Sequence, residues 1–120
     1  MLKSGRIAAL VLLSLPVSAQ DVMRYHVNHI TVLAEDGRMR VLRYAAHKGD
    51  KTPMHSHPIS AVYVVKGGRV KLTLPDGTAT ISTFKYGTAF LRPPITHADE
   101  ALDDVEMILT EFKSQAAPRK

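Results

Sequence analysis

The chain has 120 residues, a formal charge of +5 and no cysteine. That length builds one hydrophobic core and not two. The absence of cysteine excludes disulfides, a thiol nucleophile and any cysteine-held zinc.

Lys3 and Arg6 open the chain, residues 7–15 form an apolar run, and Pro16 interrupts it before the small residues Val17, Ser18 and Ala19. This order is that of a secretory signal peptide, and the run is shorter than the ~20 residues that span a bilayer. The expectation is a signal peptide over residues 1–19, cleavage after Ala19, and a periplasmic or secreted product with no stable membrane insertion once processed. A buried N-terminal helix or an uncleaved anchor is the competing reading. Loss of Lys3 and Arg6 leaves +3, and Arg119 and Lys120 stand in a polar tail. The body is then close to charge balance, with no basic stripe for nucleic acid.

Residues 24–33 are rich in β-branched and aromatic side chains and read as a strand. Asp36-Gly37 is a preferred hairpin pair. Residues 39–46 read as the next strand, and residues 47–53 as a polar loop. Residues 61–65 are a short apolar strand ended by Gly67-Gly68. In residues 69–74, Val70, Leu72 and Leu74 alternate with polar side chains. Pro75-Asp76-Gly77 turns the chain, residues 78–84 form a Thr-rich strand, Tyr86-Gly87 turns again, and residues 88–91 extend. Pro93-Pro94 forces an extended bend, residues 105–112 make the last strand, and residues 114–120 are the tail. Short strands every ~8–12 residues with turn signals between them predict an all-β sandwich or barrel.

His55 and His57 are two residues apart, and on a strand such residues share a face at roughly 6–7 Å. His97 follows the stiff run Pro93-Pro94-Ile95-Thr96. Three neutral imidazoles suit Zn, Cu, Fe or Ni. Three protein ligands leave positions open, as a catalytic rather than a structural site does. Single histidines are more often surface or satisfied residues, and His26, His29 and His47 are read so.

These residues make the chain resemble a small single-domain cupin over roughly residues 38–112. In the first cupin motif, G-x5-H-x-H-x3-E-x6-G, Gly49, His55, His57 and Gly68 fall in place and Ala61 replaces the glutamate. The second motif is matched loosely by Gly87, Pro93-Pro94 and His97, with Ala101 at the asparagine position. The resemblance implies a cupin-type double-sheet β-barrel, or jelly roll, over residues 20–113. It implies a homodimer as well, with residues 24–33 a candidate contact. Lacking the motif glutamate, the chain looks like the three-histidine cupins, which include mononuclear iron dioxygenases acting on thiols or diketones.

The expected cofactor is one divalent transition metal, Fe, Mn, Ni or Zn, held by His55, His57 and His97. Asp99, two residues after His97, is a candidate fourth donor or orienting group, and Asp99-Glu100 reads equally as a solvated turn. Tyr63 shares the parity of Ala61 and is a candidate cavity residue with its hydroxyl toward a bound oxygen; a core tyrosine is the alternative. Arg43 and Arg92 are candidates to pair an acidic substrate or to lie on the surface. The function these residues imply is an exported metal-dependent enzyme on a small polar molecule, an oxygenase such as a dioxygenase or an isomerase. The alternatives are a non-catalytic module that binds a small ligand, and a scaffold without metal.

Overall fold

The computed structural model describes residues 20–113. The signal-peptide reading of residues 1–19 and the tail reading of 114–120 lie outside them. The strands are β1 (Gln20–Asp21), β2 (Ile30–Glu35), β3 (Met39–Ala46), β4 (Lys51–His57), β5 (Ser60–Lys66), β6 (Gly68–Thr73), β7 (Ala79–Phe84), β8 (Ala89–Arg92), β9 (Ile95–Ala101) and β10 (Val105–Phe112). A 3-10 turn, Val22–Tyr25, follows β1. Among the described residues no helix is long and apolar enough to cross a membrane.

The strands form two five-stranded sheets. One has the order β1-β4-β9-β6-β7, the other β2-β3-β10-β5-β8. All pairs are antiparallel except the short β1–β4 bridge. Side chains alternate across each strand, so one parity of β3, β5 and β10 builds the core. Leu42 of β3 and Val62 of β5 flank Leu109 of β10, and Tyr44 and Val64 flank Met107. All six are buried.

Most turns follow local chemistry. The Asp36 carboxylate accepts from the Arg38 and Met39 amides and closes the β2–β3 hairpin. At the β6–β7 hairpin the Gly77 amide donates to the Leu74 carbonyl. Gly49 and Gly87 sit at φ +94° and +77°, where a Cβ would be strained.

Three expectations need correction. The strand read over residues 24–33 begins only at Ile30. Before it, the Asp21 side chain accepts from the Met23 amide and starts the 3-10 turn, and His26 adopts a left-handed φ of 51°. Local capping there overrides β-branched composition. Second, the polar stretch that includes Asp99-Glu100 is not a turn: it is part of β9, hydrogen-bonded between β4 and β6. Third, the loop read over residues 47–53 is shorter, because β4 begins at Lys51. Farther on, β5 and β6 belong to different sheets. The chain crosses between sheets at Gly67, where a Cβ would stand 2.6 Å from the Phe84 carbonyl oxygen and 3.0 Å from the Tyr86 nitrogen. Both neighbours are backbone and cannot rotate away. Gly67→Ala is therefore expected to destabilise the protein by about 1–3 kcal/mol. A urea midpoint equal to that of the parent would contradict this close approach.

Candidate metal centre

β4 and β9 bring three imidazoles into the space between the sheets. His55 and His57 lie on the inner face of β4, and His97 stands directly opposite His55 in the β4–β9 register. All three are buried, His55 to 1% exposure. Ring centroids are 4.6 Å apart for His55–His57 and His55–His97, and 5.4 Å for His57–His97. One nitrogen from each ring can be chosen so that all three lie within 4.8 Å of one another.

The hydrogen bonds behind the rings decide which nitrogen faces inward. His55 Nδ1 is 2.6 Å from the Pro53 carbonyl oxygen, which can only accept. His57 Nδ1 is 2.5 Å from Glu111 Oε2. Each Nδ1 therefore carries the proton in the neutral ring, and each Nε2 carries a lone pair. Those two Nε2 atoms face each other at 2.8 Å. Two lone pairs at that distance repel unless a cation sits between them. Neither nitrogen of His97 has a hydrogen-bond partner among the described residues, although both are buried. Burial, reinforced by His57 and Arg92, pulls the His55 pKa down to about 4. Burial, with the neighbouring imidazoles, takes His97 to about 2. These rings are neutral at pH 7, the form that binds metal. The donor set fits a borderline transition metal.

Two buried carboxylates flank the cluster. Glu111 enters from the inner face of β10 at 1% exposure. Arg40 donates to its Oε1 through Nε and Nη2, at 2.9 and 2.6 Å, and through Nη2 also to Asp21. Burial acts to raise the Glu111 pKa, but hydrogen bonds from His57 and Arg40 outweigh it and hold it below the usual carboxylate range. On β9, Asp99 Oδ1 accepts from the Thr52 hydroxyl at 2.9 Å and the Tyr44 hydroxyl at 3.3 Å. His29 Nε2 completes the chain, 2.8 Å from Thr52 Oγ1. Here burial prevails over the hydrogen bonds and pushes the Asp99 pKa up. The imidazoles, Asp99, Arg92 and Met107 line an otherwise largely apolar cavity of about 30 Å³.

The structure thus gathers His55, His57 and His97. It places Asp99 in the cavity wall, its Oδ2 4.0 Å from His55 Nε2 and outside bonding distance. Tyr63 is a correction: it points outward and is 45% exposed. On β5 the inward parity belongs to Ser60, Val62 and Val64. The same parity turns Ala61 outward, so the inner positions beside the motif-glutamate position are Ser60 and Val62. Arg43 pairs with Glu106 on the surface, whereas Arg92 lines the cavity. His26 and His47 are exposed, and His29 is a satisfied partner of Thr52. Sequence reasoning missed Glu111, Arg40, Thr52 and Tyr44. For Glu111 a signal exists: it continues the inward parity of Val105, Met107 and Leu109, and a charge on an apolar parity marks a buried partner.

A cupin domain from Bordetella pertussis aligns with a TM-score of 0.64 and 22% identity over 71% of this chain and 92% of its own. The fold is that of a cupin. A cupin superfamily protein from Desulfitobacterium hafniense aligns at TM-score 0.55 and 13% identity, covering 71% of this chain and 76% of its own. A cupin-like protein from Thermotoga maritima aligns at 0.52 and 23%, covering 68% and 65%. No protein-family model matches the sequence, and no curated protein matches it. The cupin barrel here carries its buried carboxylates on β9 and β10 rather than on β5.

Two outcomes are expected from this geometry. Glu111→Ala leaves Arg40 with only Asp21 and His57 without its acceptor, so stability falls by about 3 kcal/mol, the lower end for a broken buried pair. Chemical denaturation reads this directly. In metal-free protein, His55 and His97 titrate well below the unfolded value of 6.5. The unfolded chain then binds more protons as pH falls. Stability from these groups is complete above about pH 6.5 and is lost as pH drops toward 4, at up to ~1.4 kcal/mol per unit for each group. A denaturation midpoint flat from pH 7 to 4.5 would contradict it.

Proposed function

We propose that this chain is a small metal-binding protein in which His55, His57 and His97 hold one divalent transition metal ion through inward nitrogens. The ion would act on, or capture, a small polar molecule. The observation that carries the reading is the pair of facing Nε2 lone pairs at 2.8 Å beside an unpartnered His97. When bound, such an ion supplies Lewis-acid polarisation and, if it is iron, redox chemistry with O2.

The chain's own residues do the rest. The Pro53 carbonyl and the Glu111 carboxylate fix the tautomers and ring orientations of His55 and His57. Leu42, Met107 and Leu109 keep water from the buried side. Asp99, held by Thr52 and Tyr44, keeps Oδ2 toward the imidazoles. A dioxygenase is the most concrete form of the proposal. Ligand capture without turnover is the second reading, and the same cavity beside the imidazoles would serve it. Export follows from the N-terminal pattern of residues 1–19. A homodimer is supported by edge strands β2 and β8, which expose Leu33 and Leu91, the latter to 79%.

Metal analysis of untagged protein is expected to give close to one equivalent, and none for the triple variant His55→Ala/His57→Ala/His97→Ala. Glu111→Gln keeps the cluster but weakens the orienting hydrogen bond, and should lower metal affinity by about 10–100-fold in chelator competition. Equal metal content in the triple variant would refute the assignment. Metal-dependent O2 consumption separates the dioxygenase from the binding module.

A further inference from the structure

Arg92 is the last residue of β8, and its side chain points into the cavity. Its direction follows from the sheet: Arg92 lies opposite Ser60 of β5, whose parity is inward. Pro93 and Pro94 follow and stiffen the exit from the strand. The Nε and Nη2 atoms of Arg92 are buried and have no hydrogen-bond partner among the described residues. They form the side-on edge of the guanidinium, the pair of parallel N–H groups that matches a carboxylate. The hydroxyl of Ser60 across the ladder is likewise buried and unpartnered.

An unpaired cation in a closed space is costly. Glu111 and Asp99 attract it at a distance without bonding it, and burial still pulls its pKa down. Glu111 is already occupied by Arg40 and His57, and Asp99 by Thr52 and Tyr44. The cavity therefore presents an unneutralised positive fork beside the imidazoles, and a divalent ion there would add to the positive field.

We propose that the cavity binds a small monocarboxylate, its two oxygens held side-on by Arg92 Nε and Nη2 and its remaining atoms directed to the three-histidine cluster. Three features select this class. The fork is planar and bidentate, which a chloride ion does not use. The cavity of about 30 Å³ admits only a few heavy atoms. The Asp99 carboxylate on the same wall opposes a phosphate dianion. The proposal deepens the metal reading by naming its ligand class, and the Arg92 half of it stands without the metal.

The test uses the untagged full chain, zinc-loaded and metal-free, titrated calorimetrically with acetate, with acetamide as the neutral isostere and inorganic phosphate as the dianion. Acetate is expected to bind both forms, the zinc-loaded one more tightly, and to outbind acetamide and phosphate. Arg92→Met should weaken acetate at least about tenfold, the value of a charge-assisted hydrogen bond or more. Arg92→Lys should fall between, since an ammonium offers a point charge and no fork. Metal content should be unchanged in both variants. The ligand-free Tm of Arg92→Met should be unchanged or higher, because an unpaired buried cation is removed.

Acetate binding equal to the parent in Arg92→Met, or acetamide or phosphate binding as well as acetate, would overturn the proposal. So would a ligand-free Tm several degrees lower in Arg92→Met, which would make Arg92 a structural residue. Metal bound without Arg92-dependent acetate binding defeats this inference and leaves the metal reading standing. Arg92-dependent acetate binding in a protein that takes up no metal does the reverse.

Discussion

β4 and β9 meet with His55 opposite His97, and a slip of one residue would turn each inward imidazole outward. The register is held from both sides. β9 is also paired to β6, where Val70 faces Ala101. The Gly49 amide donates to the Ala101 carbonyl, and the Ala101 amide to that of Asp50. Ala101, where the second cupin motif has asparagine, thus packs and ties the β9 end with no side-chain polar group. The imidazole cluster depends on backbone pairing first and side-chain chemistry second.

The polar groups in this core are connected in two separate sets. Glu111 joins His57 to Arg40 and Asp21, and links the two sheets through charge. Asp99 joins Tyr44, Thr52 and His29. Each member of these sets has a partner, which is what a buried polar network requires to avoid desolvation cost. Against that background the buried atoms without a partner among the described residues stand out: they belong to Ser60, Arg92 and His97. They concern residues on the inner faces of β5, β8 and β9, where a ligand rather than another protein group would complete the hydrogen bonding.

Much of this architecture was legible in the sequence because it rests on period-two alternation and turn residues. β3 and β10 have the bounds that the sequence pattern predicts, Met39–Ala46 and Val105–Phe112. The pattern failed where polarity misled it. β9 carries Thr96, Asp99 and Glu100, so its interior position in a sheet left no apolar run to see. Tyr63 differs for another reason: it would line the cavity only with Ala61 inward, and β5 enters the sheet with Ser60 inward instead. The histidine cluster was visible through local spacing within β4. The pairing of Glu111 with Arg40 was not, because they are 71 residues apart and meet only through the β3–β10 register.

The measurement that bears most directly on the centre is X-ray absorption spectroscopy on the zinc-loaded, untagged protein. Three imidazole nitrogens are expected at about 2.0–2.1 Å, with one of them lost in His97→Ala and no carboxylate taking its place. A first shell of oxygens alone, or an imidazole count unchanged by His97→Ala, would contradict it.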